Sequence, residues 1–115
     1  MASTVANKGL PGSSVYAATK AAIRALARSW VVDVKGRGIR INVVSPGAIA
    51  TQGLLGASPD AETSRRRLDY IVSHTPLGRL GTAEEIGKVV TLLASDASSL
   101  INGPDIQADG GWAQI

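Results

Sequence analysis

The stretch SSVYAATKAAIRALARSWVVDVKGRGIRINVVSPG, residues 13–47, decides the fold reading. Val15, Ala22, Ile23, Leu26, Trp30 and Val34 recur at the spacing of one helix face, and Ser13 or Ser14 stands where an N-cap belongs. The helix is expected to stop near Lys35, because Gly36 suits the left-handed residue that closes helices and Gly38 follows it. Ile39, Ile41, Val43 and Val44 then make a short β-branched run bounded by Pro46 and Gly47, the pattern of a buried strand. A helix followed by such a strand points to α/β architecture.

Working outward, residues 48–81 have no sustained hydrophobic period and carry Gly53, Gly56, Pro59, Pro76 and Gly78. A short helix is expected around Asp60 to Val72, and residues 52–81 as a whole read as a substrate loop or lid. Thr82 and Glu85 have the spacing of a capping box, and Ile86, Val89, Val90 and Leu93 supply the apolar stripe of a second helix ending near Asp96. Gly103 and Pro104 lead into a strand over Asp105 to Ala108, closed by the turn Asp109, Gly110, Gly111. Strands joined through a crossover helix pair in parallel, so the chain is predicted to end in a βαβ unit. Met1 to Val5 reads as the remnant of an earlier strand.

Composition narrows the function classes. The 115 residues fit one domain, and 44% apolar content is that of a chain with a packed core. Without cysteine there are neither disulfides nor thiolate metal sites, and His74, the only histidine, has no second ligand at metal spacing. No metal site is predicted, and His74 reads as a loop residue. The net charge is +3, with basic residues spread out apart from Arg65, Arg66, Arg67 and the stretch Lys35, Arg37, Arg40. Two Trp, two Tyr and no Phe leave few stacking platforms, so no nucleic-acid partner is expected. No apolar run approaches the ~18 residues of a membrane span and no leader pattern opens the chain, so a soluble, cytoplasmic protein is expected.

Tyr16 and Lys20 stand at i and i+4 near the start of the first helix, which puts their side chains on one face about 5 to 6 Å apart. An ammonium that close to a phenol favours the phenolate, the property a general acid or base needs near neutral pH. By itself such a pair is also what a solvated helix face produces. Ser3 precedes Tyr16 by 13 positions, and the loop containing Gly9, Pro11 and Gly12 can fold back to bring its hydroxyl beside the phenol. Gly78, Leu80 and Gly81 before the second helix are a weaker feature, since no strand precedes them as an anion-binding turn requires.

Taken in order, Ser3, the run Tyr16 to Ala22 (YAATKAA), the run Arg40 to Thr51 (RINVVSPGAIAT), Pro76 to Arg79 (PLGR), Glu84 to Ile86 (EEI) and Asp109 to Gly111 (DGG) resemble the short-chain dehydrogenase/reductase (SDR) family. The resemblance covers nearly the whole chain. It implies the C-terminal part of a doubly wound, Rossmann-like parallel sheet, with residues 1–115 a single partial domain and the N-terminal dinucleotide-binding half absent. It further implies that Tyr16 exchanges a proton with the substrate oxygen, that Lys20 supports the phenol and holds the nicotinamide ribose, and that Ser3 orients the substrate. Pro46, Gly47, the Ile49 backbone and the Thr51 hydroxyl would face the nicotinamide.

The implied cofactor is NAD or NADP, held only when the missing half is supplied, and the implied substrate is a small alcohol or ketone. The family's glycine-rich fingerprint, its ribose selector and the Asn of its proton relay have no counterpart in residues 1–115, so the chain alone is expected to be inactive. Two parallel strands alone are marginal, which points to a homo-oligomer or to pairing with the missing half. The alternative is a non-catalytic oligomerisation or folding module that retains the motif.

Overall fold

A computed structural model describes residues 1–56 and 60–115. In chain order it contains helix α1 (Ser14–Asp33), strand β1 (Val43–Pro46), helices α2 (Gln52–Leu55), α3 (Ala61–Ser73) and α4 (Ala83–Ala94), and strand β2 (Asp105–Ala108). Three short 3-10 turns, Thr4–Ala6, Asp96–Ser98 and Trp112–Gln114, punctuate this order.

The long first helix forms as its periodicity predicts, though Ser13 makes no side-chain capping bond. Beyond α1, Gly36 and Gly38 take φ of +80° and +67°, the left-handed region that lets the chain turn back toward β1. β1 and β2 pair in parallel, with Val43 opposite Asp105 and Pro46 opposite Ala108. The strand predicted over residues 39–44 lies further along, at Val43–Pro46, because side chains hold the preceding residues. Ile41 donates its N–H to Asn102 Oδ1 at 2.9 Å, and Arg40 reaches the Leu93, Ser95 and Ile101 carbonyls and Ser98 Oγ at 2.8–3.2 Å.

Met1 to Val5 is not a strand. It keeps one backbone bond to β1, Ala2 N–H to the Val44 carbonyl at 2.8 Å, and then winds into the Thr4–Ala6 turn with Ser3 as its N-cap. The helix expected around Asp60 to Val72 forms as the 13-residue α3, whose N-cap Asp60 accepts from Thr63 N–H at 2.7 Å, and the short α2 precedes it. Ile71 is its one buried residue, which explains why no period shows in the sequence. Pro59, one of the residues read as a loop marker, lies outside the described residues.

At α4 the capping box is complete: Glu85 N–H donates to Thr82 Oγ1 at 3.2 Å and Thr82 N–H to Glu85 Oε2 at 2.8 Å. Arg79 grips the same carboxylate through both terminal guanidinium nitrogens at 2.6 and 3.0 Å. That hydrogen bond, followed by the one from Thr82 N–H, holds the Glu85 carboxyl down at about 2. The helix start is thus satisfied by its own side chains, and Gly81 serves a bridge to Ile49 in place of an anion.

Ala2, Ala27 and Val43 form the core between α1 and the sheet, with Ile23 and Ile41 packed against them. Much apolar surface stays uncovered: Val15 and Val32 on α1 are 77% and 71% exposed, and Leu100 after α4 is 96% exposed. The radius of gyration, 15.6 Å, exceeds the value of about 13 Å for a compact domain of this length. The secondary elements are therefore spread around a small core.

Candidate active site

Helix α1 presents Tyr16 and Lys20 one turn apart, with Lys20 Nζ 5.5 Å from the centre of the Tyr16 ring. Lys20 also donates to the Met1 carbonyl at 3.5 Å, tying the helix to the segment that carries Ser3. Tyr16 is half exposed, and its hydroxyl has no hydrogen-bond partner among the described residues. Ser3 Oγ accepts weakly from Val5 N–H at 3.5 Å, which leaves its own proton free.

Ser3 and Tyr16 line a common cavity of about 410 Å³, and Gly47, Ile49 and Thr51 from the end of β1 line it too. The loop through Gly9 and Gly12 therefore sets the serine and the tyrosine in the walls of one cavity. Lys20 and Pro46 are not among its walls. Lys20 stands behind Tyr16, while the Pro46 carbonyl accepts from Thr4 Oγ1 at 3.3 Å and so fastens the Ser3 turn to the end of β1.

Each β1-end residue has its own physical state. At Gly47 a Cβ would come within 2.7 Å of the Asp109 backbone, so the close approach that glycine permits is between the ends of the two strands. Ile49 bridges Gly81 in parallel: Ala50 N–H donates to the Gly81 carbonyl and Gly81 N–H to the Ala48 carbonyl, both at 2.9 Å. In that pattern the Ile49 N–H points the other way, and it has no partner among the described residues. A partly buried amide without a partner is costly, so it is a ready donor to a ligand carbonyl. Thr51 Oγ1 caps α2 by accepting from Leu54 N–H at 3.4 Å, which leaves its hydroxyl proton available.

Other walls escaped the sequence reading. Trp112 lines the cavity and is buried; Lys8 holds it, with Nζ 2.9 Å from its carbonyl and 4.8 Å from its ring centre. Arg67 and Ile71 of α3 form another wall. Nothing local in the sequence marks Trp112, whereas Arg67 was visible only as one of three consecutive arginines. His74 caps the end of α3, its ring centre 4.1 Å from that of Tyr70, and no metal-binding cluster occurs among the described residues.

Behind the site, Arg24 extends the Tyr16 and Lys20 face by one more turn. Its Nε approaches Asp105 Oδ2 to 2.7 Å as an ion pair, with the N–H directed off that line, and its terminal nitrogen bonds Asn7 Oδ1. Asp105 also accepts from Ser45 Oγ at 2.5 Å and from Asn7 Nδ2 at 3.1 Å. One carboxylate thereby links α1, the end of the Thr4–Ala6 turn and both strands.

Residues 1–113 match the family described as enoyl-(acyl carrier protein) reductase. The chain belongs to the short-chain dehydrogenase/reductase family. Similar SDR relatives include oxidoreductase asL5 of Sarocladium schorii, 44% identical over 93% of this chain and 41% of that protein. The 3-oxoacyl-[acyl-carrier-protein] reductase FabG of Thermotoga maritima is 38% identical over 96% of this chain and 43% of its own length. The chain thus spans well under half the length of these curated relatives.

Among solved structures, 4-hydroxyisoleucine dehydrogenase complexed with NADH and succinate superposes with a TM-score of 0.83 at 26% identity, over 99% of this chain and 44% of that one. A further SDR neighbour is in complex with NADPH. The fold is accordingly the C-terminal part of the SDR Rossmann-like sheet, and the family's cofactors are NAD and NADP. The free Ile49 N–H and the Thr51 hydroxyl fit the carboxamide end of such a cofactor, while residues 1–115 contain no glycine-rich fingerprint for its pyrophosphate.

Proposed function

We propose that residues 1–115 form the catalytic half of an NAD(P)-dependent oxidoreductase that interconverts a small-molecule alcohol and ketone. The observation that carries this reading is the shared cavity in which Ser3 and Tyr16 meet Gly47, Ile49 and Thr51. Bound NAD(P) supplies or accepts the hydride at nicotinamide C4.

In the reducing direction, Tyr16 Oη gives its proton to the carbonyl oxygen as the carbonyl carbon gains the hydride; oxidation returns both. Ser3 donates its free hydroxyl proton to the same oxygen and fixes its direction. Lys20, one turn along α1 from Tyr16 with Nζ 5.5 Å from its ring centre, would hold the ribose of the cofactor. Pro46 and Gly47 end β1, and beyond them the Ile49 N–H and the Thr51 hydroxyl would hold the carboxamide. The described part of residues 52–81 acts as the substrate-binding segment, since Leu54, Arg67 and Ile71 contribute walls to the cavity.

The uncovered apolar surface of α1 and the segment after α4 supports a second property, assembly with a second copy or with a dinucleotide-binding half. A purely non-catalytic module would use that surface alone and leave Tyr16 without a task.

The test uses a polypeptide in which residues 1–115 are completed by a dinucleotide-binding half. Tyr16→Phe removes the proton carrier but keeps the ring, so turnover should fall about 10² to 10⁴-fold with cofactor affinity unchanged. Lys20→Ala should lower turnover and also weaken cofactor binding. Near-full turnover by Tyr16→Phe over several alcohols and ketones would remove the chemical basis of the proposal.

A further inference from the structure

Arg65, Arg66 and Arg67 are consecutive on α3, so their side chains leave the helix about 100° apart. Arg66 pairs with Glu62, and Arg65 lies 3.9 Å from Asp69, both at i,i+4 spacing on exposed surface. Arg67 has Thr63 and Ile71 at those spacings, so its own helix offers it no carboxylate. Its face is the one that carries Ile71, the buried residue of α3, and both side chains line the cavity of Ser3 and Tyr16.

Among the described walls of that cavity Arg67 is the only charged side chain; the others are apolar or neutral. It has neither an ion pair nor a hydrogen bond among the described residues, and residues 57–59 contain no acid. A guanidinium presents a planar fork of donors that matches carboxylate, sulfonate or phosphate oxygens in pairs. Trp112, held by Lys8, gives the same cavity a fixed apolar wall. The site therefore offers hydroxyls for a reacting carbonyl, apolar walls for a carbon chain, and one uncompensated cation.

We infer that Arg67 is a specificity residue that recognises a terminal anionic group on the substrate, making the substrate class an oxo-acid or hydroxy-acid. The inference rests on the oxidoreductase reading of the cavity and names what that cavity selects. Because Arg67 is exposed, its replacement leaves the fold intact.

The experiment compares straight-chain methyl-ketone carboxylic acids of graded length with their methyl esters, using residues 1–115 completed by a dinucleotide-binding half. At the matching length the acid should exceed its ester in kcat/KM by roughly 10- to 100-fold, the span of a charge-assisted hydrogen bond. Arg67→Gln should erase that preference by raising KM for the acid at least ~10-fold more than for the ester, and Arg67→Lys should restore part of it. Equal use of acid and ester by the unaltered protein, or an equal loss on both with Arg67→Gln, overturns the inference. Absence of turnover with every carbonyl would instead count against the oxidoreductase reading. Calorimetric titration of the acid then decides the anion site by itself: weaker binding to Arg67→Gln upholds it, and equal binding overturns it.

Discussion

At the carboxyl end of β1 the Tyr16 hydroxyl and the Ile49 amide have no partner among the described residues, whereas at its amino end Arg40 donates to four acceptors. Asn42 there bonds both the Ile101 carbonyl and the Gly103 N–H at 3.1 Å, and Asn102 takes the Ile41 N–H. The two ends are only a four-residue strand apart. Polar residues alone therefore do not mark function in this molecule. At the amino end saturated groups join elements to one another, and at the carboxyl end unsaturated ones belong to the walls of a cavity and are available to a ligand.

The contrast can be broken by substitution at either end. At the open end, Tyr16→Phe in the completed polypeptide should cost turnover up to about 10⁴-fold while the unfolding midpoint in urea stays put. A large fall in stability would show that the hydroxyl is structural after all. At the saturated end, Arg40→Met should do the reverse. It takes one donor from each of the Leu93, Ser95 and Ile101 carbonyls, which keep only their bonds from Ser98 and Asn42, so urea unfolding should report a loss of about 1 to 3 kcal/mol. An unchanged midpoint would mean that water replaces the guanidinium freely.

A third substitution tests whether support for the site can be separated from its chemistry. Asp105→Asn keeps the shape of the side chain but removes the charge opposite Arg24, so a stability loss of about 1 to 3 kcal/mol is expected. Because Arg24 holds Asn7, whose turn begins at Ser3, the same variant should also loosen amide protection over residues 4–7. Unchanged exchange there would confine the role of Asp105 to joining helix and sheet.

What the sequence revealed and what it hid follow one physical division. α4 is legible because the capping box and its apolar stripe are local, and β2 falls on Asp105–Ala108 because Pro104 and the Asp109 turn bound it. The Tyr16 and Lys20 pair is legible for the same reason, being set by helix geometry alone. β1 begins only at Val43 because the Ile41 N–H goes to Asn102 Oδ1 and Arg40 to the Ile101 carbonyl, contacts 61 positions apart in the chain. Trp112 and Arg67 reach the cavity through tertiary placement, Trp112 by the hold of Lys8 from the other end of the chain. Such contacts leave no periodic trace. Among three consecutive arginines, only the absence of an acid four residues either side distinguishes Arg67, and that signal means little until a cavity is known to lie there.

The smallest expected effect concerns α4, where saturation is complete and its signature is a pH. The Glu85 carboxyl sits at about 2 instead of its ordinary 4.5, chiefly through the hydrogen bond from Arg79 and next through that from Thr82 N–H. A carboxyl depressed in the folded state stabilises the cap above its ordinary value, and that contribution is lost as pH falls through the folded one. The window runs from 4.5 down to about 2. Acidification from neutral pH should therefore leave the Glu85 side-chain carbon resonance at its ionised position until well below 4.5, with the Thr82 amide proton moving in step. Arg79→Gln removes the leading cause, so both resonances should titrate at a higher pH while the Thr82 capping bonds keep α4 helical. The side chains are exposed and solvent screens the pair, so global stability should change little with either variant. A titration midpoint at the ordinary value in the unaltered protein would show that Arg79 does not hold the carboxylate in solution, and the start of α4 would then rest on Thr82 alone.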